Sequence, residues 1–315
     1  MLVNILLLAA VCVDKSIRIC DNYHTLYYKG GGIVKKAVAV AAILVILFVA
    51  VTSPGINRFL RSAILAGTAV NVDALSENEG AVSFKKGDYV LFGRYLGEPI
   101  LWKVVSVEGG RPLLVSERIL CLKAFDASGN CAAHTGKDTV KFGSSAWETS
   151  TLRTWLNSAE ENVAYPNAVP SADNIHEGYN AYDGENGFLH SDNFSAEALE
   201  MIADDGVFIL TKAEVLKYIP ENERAKACTK SALLASDAPY LATTAKKTWY
   251  WTASPISTNN VSVAAVTSGG GFYKSLAYDG ASGVCPALYL RSGNAEVFAG
   301  GGTADNPLLI EEALR

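Results

Sequence analysis

Along the central part of the chain, apolar side chains fall into short runs separated by turn residues. Asp88–Arg94, Ile100–Val107 and Pro112–Glu117 are rich in Val, Leu and aromatic residues. Gly97-Glu98-Pro99 and Glu108-Gly109-Gly110 stand between them, which predicts an antiparallel meander of three strands. Ile119–Phe125 continues, mostly apolar, into a polar loop at Asp126–Lys141. The spacing then changes. Leu152, Trp155 and Leu156 recur at i, i+3 and i+4 behind Thr149 or Ser150, the pattern of a short capped helix. A long polar stretch, Pro166–Asn193, shows little periodicity. Ser195–Ala203 predicts a second amphipathic helix, and Val207–Leu210 a buried strand. Thr211-Lys212-Ala213-Glu214 has the order of a capping box, opening a third helix that runs through Tyr218 and stops at Pro220.

The last third returns to strand patterns at Thr248–Ala253, Val261–Thr267, Phe272–Leu276, Val284–Leu290 and Ala295–Phe298, with Gly269-Gly270-Gly271 as a turn. Pro286 breaks the fourth of these once. On the first, Trp249 and Trp251 are two apart and face the core together, while Tyr250 faces the other way. Strands, then short helices, then strands predict an α+β fold with an antiparallel sheet.

Ahead of this region, Ala37–Val51 is an uncharged run preceded by Lys35 and Lys36 and followed by Arg58 and Arg61. A spanning helix needs about 20 residues and a signal-peptide core about 7–15, and this run lies between them. The basic ends and the lack of a polar face disfavour a buried helix of a soluble protein. Arg58 and Arg61, unusual just beyond a cleavage site, favour an uncleaved anchor over a cleaved signal. Residues 34–54 are therefore read as a transmembrane anchor or signal segment, residues 55–79 as a stalk and residues 80–310 as the folded domain. Residues 1–33 read as a doubtful leader. The codons for Lys29–Gly32 would be rich in purines, like a ribosome-binding site, and Val34 suits a GTG start.

Charge supports this division. The net charge is −5, but residues 1–70 carry seven Lys and Arg against two Asp and Glu, leaving twenty against thirty in the rest. A domain with that acidic excess is a poor match to a phosphate lattice, so nucleic acid is excluded as a partner. The expected partner of the basic, apolar N-terminal segment is the membrane. Expected localisation is the cell membrane, single-pass, with the C-terminal domain extracytoplasmic, or secretion if the segment is cleaved. Cys121, Cys131, Cys228 and Cys285 make an even count that permits disulfides in an exported domain, Cys121–Cys131 first by proximity. Cys285 sits in an apolar strand, where a free buried thiol is the ordinary state.

Catalytic chemistry is sparse. His134, His176 and His190 lie in polar loops without metal-ligand spacing, so solvated histidines are expected. There is no Gly-x-Ser-x-Gly elbow and no Cys-x-x-Cys. The loop Asp173–Asp192 gathers Asp173, Asp183, Glu185, Asn186 and Asp192, an oxygen-rich set that suits calcium but matches no EF-hand spacing. These five residues, with Tyr250 on the outward face of its strand, are the candidate ligand contacts. Trp147, Trp155, Trp249 and Trp251 are assigned to the core before recognition.

Seven phrases in fixed order carry a resemblance. They are Gly87–Gly93 (GDYVLFG), Ile100–Val104 (ILWKV), Leu113–Leu120 (LLVSERIL), Ser150–Asn157 (STLRTWLN), Val207–Glu214 (VFILTKAE), Trp249–Pro255 (WYWTASP) and Gly283–Leu288 (GVCPAL). Together they resemble a bacterial family catalogued as domain of unknown function 6273. The chain departs from that family at Thr252 or Ala253 and at Cys285, where the family usually has arginine. The resemblance implies a C-type-lectin-like fold, akin to formylglycine-generating enzymes, with a twisted antiparallel sheet, short helices and long loops. It implies no established activity. The lectin calcium triplets are absent, since Glu98-Pro99 is followed by Ile100, and the paired active-site cysteines of the formylglycine enzymes have no counterpart. The expectation is a non-catalytic, extracytoplasmic binding module for a glycan or protein, without a required cofactor. A formylglycine-generating-type enzyme using Cys228 or Cys285, and a purely structural envelope domain, are the alternatives.

Overall fold

Three consecutive strands, β2 (Tyr89–Tyr95), β3 (Glu98–Glu108) and β4 (Arg111–Ser116), form the expected meander. They belong to a computed structural model that describes residues 72–76, 80–166, 168–177, 182, 184–236 and 246–311. The expected leader, the 34–54 segment, most of the stalk and Asp183 lie outside the described residues. Among those described, no helix is long and apolar enough to cross a membrane.

The other strands are β1 (Gly80–Ser83), β5 (Cys121–Leu122), β6 (Ile202–Ile209), β7 (Tyr250–Pro255), β8 (Ser262–Val266), β9 (Phe272–Leu276), β10 (Gly283–Val284), β11 (Pro286–Leu290), β12 (Asn294–Val297) and β13 (Leu308–Leu309). One sheet runs β13-β2-β3-β4-β11-β6, a second β5-β10-β7-β8-β9, and β1 pairs with β12. All pairings are antiparallel except β13 with β2 and β10 with β7. The helices are short: α1 (Lys137–Phe142), α2 (Thr151–Leu156), α3 (Ala196–Met201), α4 (Lys212–Tyr218) and α5 (Lys230–Ala235). The architecture is α+β and rich in sheet.

Helix starts follow the sequence signals. The Ser150 hydroxyl accepts from the Arg153 N–H, and Ser195 caps α3 by accepting from Ala198. Thr211 and Glu214 form the reciprocal box that opens α4. Each cap satisfies amide donors that a short helix would otherwise leave unpaired.

Apolar residues alternate between two cores. On β4, Leu114 packs into one cluster, with Trp102, Val104 and Leu288. Leu113 and Val115 pack into the other, with Val105 and Ala287. On β7 the same alternation places Trp251 in the first cluster and Tyr250 in the second. A sheet covered on both faces reads as nearly continuous apolar runs, as these strands do. Tyr250 is therefore not the outward contact residue expected. It is 2 % exposed and its hydroxyl donates to the Arg224 carbonyl at 2.9 Å. Trp249 precedes the strand and is only half-buried.

Pro286 breaks the apolar run Val284–Leu290 where the chain changes sheets. Gly283 and Val284 pair with β5, and Pro286–Leu290 pair with β4 and β6. Proline lacks the N–H that a continuous ladder would need, so the crossing falls naturally there. Of the positions where the family resemblance implies arginine, Cys285 is buried, and at Thr252 or Ala253 the first is buried and the second half-buried. The Thr252 hydroxyl donates to the Ala264 carbonyl at 2.6 Å. Residues read as the end of the stalk pack on this body, with Val72 and Leu75 against Leu91 and Leu309.

The four described cysteines are free, so the expected Cys121–Cys131 disulfide is not formed. Cys121 lies inside on β5, whereas Cys131 sits at intermediate depth on a loop whose Gly129 N–H is tied to the Val140 carbonyl. Burial pushes the thiols of Cys121, Cys228 and Cys285 up to about 12. Of these four, Cys131 alone is expected to react with a thiol reagent in the native protein at neutral pH. The other three should react only after unfolding, read by mass of the labelled peptides.

Candidate ligand site at Glu185

Glu185 lies where the hairpin between β2 and β3 meets the loop leading to α3. The Tyr95 hydroxyl, at the end of β2, donates to one carboxylate oxygen of Glu185, and the Lys123 ammonium pairs with the other. The Lys123 side chain is fully buried, while that of Glu185 retains 20 % exposure. Lys123 Nζ also lies 4.6 Å from the Trp155 ring centre and 4.3 Å from that of Tyr182. An ammonium removed from water is costly, and here a carboxylate and two aromatic faces compensate it. The box is itself fixed: Trp155 Nε1 donates to the Asn186 carbonyl at 3.0 Å, and the Tyr182 hydroxyl to the Ala124 carbonyl at 2.5 Å. The Lys123 carbonyl accepts from Trp251 Nε1 at 2.7 Å.

Outside this box is an open depression of about 400 Å³ lined by Tyr95, Leu96, Gly97, Gly184, Glu185, Asn186, Asp192 and Asn193. Asn186 Nδ2 donates to Asp192 Oδ2 at 3.2 Å, and the Asp192 N–H donates to His190 Nδ1 at 3.2 Å. The site thus offers two carboxylates and two amides, one carboxylate anchored from within. Its rim carries an unusual residue. Tyr95 and Glu98 pair across the hairpin, and the two residues between them, Leu96 and Gly97, have φ of 50° and 81°. Asparagine and glycine prefer that turn, and a branched side chain is strained in it. Leu96 is nevertheless 48 % exposed, so the strain is not offset by burial. Strain of this kind collects at ligand clamps. Leu96→Asn is expected to raise stability by about 1 kcal/mol in urea titration while weakening ligand retention.

Three of the six candidate contacts, Glu185, Asn186 and Asp192, are thus brought together. Asp173 is exposed on a turn at Ala172–Asn174, beside the Ser128 loop and away from this lining. Asp183 lies outside the described residues, and Tyr250 is in the core. Among the described residues no group of three or more His, Cys, Asp and Glu converges as a metal centre would. The buried Lys123 ammonium already offsets the charge of Glu185, which makes that carboxylate a weak calcium ligand. Ile100, following Glu98-Pro99, is buried.

Sequence reasoning missed Lys123 and Tyr95. The available signal was one lysine inside the apolar stretch Ile119–Phe125, since lysine is almost never fully buried without a partner. It also missed His134, which was expected in solvent. The ring is buried against Asp126, with Nε2 at 2.8 Å from the carboxylate and Nδ1 at 2.6 Å from the Gly129 carbonyl. His176 fits expectation better, being exposed and stacked on Tyr278.

No curated protein and no solved structure matches the chain. A family model matches residues 109–292, more than half of its length, taking in Lys123, Glu185, Asn186 and Asp192 but starting after the Tyr95–Leu96 rim. Five of the seven phrases, from Leu113–Leu120 to Gly283–Leu288, fall inside this match in the expected order, while Gly87–Gly93 and Ile100–Val104 precede it: the chain belongs to the family described as a domain of unknown function, DUF6273.

Proposed function

We propose that the domain is a non-catalytic recognition module that works outside the cytoplasm and holds a glycan or a protein loop in the depression at Glu185. The observation that carries this reading is the anchored carboxylate: Lys123 and Tyr95 hold Glu185 in place from inside, while its outer edge faces an open, polar concavity beside a strained, exposed Leu96. Fixed acceptors with amide neighbours suit hydroxyl and amide groups, because little ordering entropy is lost on binding. A C-type-lectin-like arrangement of the sheets, implied by the family resemblance, is in keeping with loops carrying the site. The basic, apolar segment at 34–54 supports attachment to a membrane with the domain extracytoplasmic.

The thiol alternative has weaker support. Cys228 and Cys285 are buried, and protonated thiols are poor nucleophiles. A glycan array probed with the full chain, with and without calcium, tests the binding reading. Retention of a ligand that is lost on Asp192→Asn is the expected result. No retained glycan, together with no protein captured by the wild type and released by Asp192→Asn, would leave a structural envelope role as the better reading. Protease accessibility of the domain on intact cells tests its placement.

A further inference from the structure

A second concavity shares no lining residue with the Glu185 depression. Residues 246–249 lead into β7, held by the Thr248 N–H on the Lys226 carbonyl at 3.1 Å and the Gly283 N–H on the Trp249 carbonyl at 2.8 Å. These bonds fix the Trp249 backbone at the end of the five-stranded sheet, with the residue half-buried. Tyr273, on edge strand β9, meets its ring edge-to-face at 5.8 Å and is 60 % exposed, more than any other large hydrophobic residue described. Beside the pair is a depression of about 310 Å³ whose lining includes Lys246, Lys247, Trp249, Ser268 and Asp279. Asp279 is a fixed acceptor: Oδ2 takes the Ser275 hydroxyl at 2.7 Å and Oδ1 the Ala281 N–H at 3.0 Å. Lys247 is exposed and forms no ion pair with any described residue.

We propose that this depression is a binding site for an acidic saccharide, a sugar ring that carries a carboxylate. The three features are complementary to three parts of one ligand. The aromatic pair offers a face to ring C–H groups, Lys247 meets the carboxylate, and Asp279 accepts from ring hydroxyls. Asp279 also decides between anions. A phosphate dianion placed near the lysines would set two negative charges against the carboxylate with a single hydroxyl to donate, whereas a uronic acid carries one charge and several hydroxyls for it. The site is independent of the Glu185 reading, because the two depressions share no lining residue and only this one asks for a carboxylate on the sugar.

The test is calorimetric titration of the full chain with an oligomer of a hexuronic acid, the matching neutral hexose oligomer and inorganic phosphate. The hexuronate oligomer is expected to bind more tightly than the neutral one, with phosphate a poor competitor. Lys247→Gln, a change on an exposed side chain, should weaken hexuronate binding about tenfold and abolish the preference for it. Trp249→Ala should weaken both oligomers about tenfold. Because Trp249 also packs against the core, Tyr273→Ala, on a side chain 60 % exposed, should weaken both as well, with an unchanged unfolding midpoint as the control for folding. Asp192→Asn should change neither. Equal affinity for the neutral oligomer, competition by phosphate as strong as by hexuronate, undiminished binding in Lys247→Gln, or no binding at all would overturn the assignment.

Discussion

Replacing Asp126 by alanine is expected to lower the stability of the domain by about 3–5 kcal/mol, measured by urea unfolding, because the residue holds several buried donors at once. One oxygen accepts from the Thr151 hydroxyl at 2.7 Å and the Thr151 N–H at 3.0 Å. The other accepts from the Ser144 N–H and His134 Nε2, each at 2.8 Å. The side chains of Asp126 and His134 are both fully buried. Alanine would leave a buried imidazole, two amides and a hydroxyl without their acceptor, and each such orphan is costly. Gly143 is part of the same arrangement. Its φ of 72° lies in the left-handed region, and a Cβ there would collide with the Asp126 carbonyl, so the turn that brings Ser144 to Asp126 requires glycine.

The same pair sets a pH dependence. The Asp126 hydrogen bond first, and then the Gly129 carbonyl, raise the His134 pKa to about 9, against 6.5 unperturbed, so the ring is doubly protonated and donates from both nitrogens. A group raised on folding adds stability that is complete below its unfolded pKa and is lost as pH climbs through the folded one. Stability should therefore decline between about pH 6.5 and 9. In His134→Gln the slope across that window should flatten, compared by unfolding at each pH.

The second large effect concerns Lys123 and Glu185, and it is asymmetric. Glu185→Ala leaves a fully buried ammonium without its carboxylate and is expected to cost about 3–5 kcal/mol. Lys123→Met leaves a carboxylate with access to water and fills the Trp155–Tyr182 box with an apolar chain of similar length. Its expected cost is about 1 kcal/mol. The double variant Lys123→Met with Glu185→Leu should recover most of the stability lost in Glu185→Ala while still failing to hold ligand. Thermal unfolding beside a binding assay separates the two roles. Equal losses in the two single variants would show that the pair is not the buried, compensated unit described.

The elements legible in the chain are those that local physics governs. The three-strand meander, the Ser150 and Thr211 caps and the break at Pro286 follow from turn residues, capping geometry and a missing N–H, all encoded within a few residues. The part of the candidate site that was legible, Glu185, Asn186 and Asp192, was so because the residues are close in sequence and polar in one loop. Lys123 and Tyr95 were not legible, since 62 and 90 positions separate them from Glu185 and only the packed sheet brings them to it.

By itself the sequence determined the meander, helices α2, α3 and α4, most strands of the last third, the Ser150 and Thr211 caps and the family. Helix α1, inside the expected loop Asp126–Lys141, and α5, β1 and β13 carried no legible signal. Only tertiary structure decided which faces are covered. Strand alternation distinguishes one side of β7 from the other but carries no information about what lies beyond each side. Tyr250 therefore read as a surface residue until α4, α5 and the strands around them were seen to bury it. Asp126 and His134 likewise read as parts of a polar loop, and became a buried ion pair because long-range packing removes them from water. Burial is a property of the whole chain's closure, and that is why the charges that matter most here were the hardest to foresee.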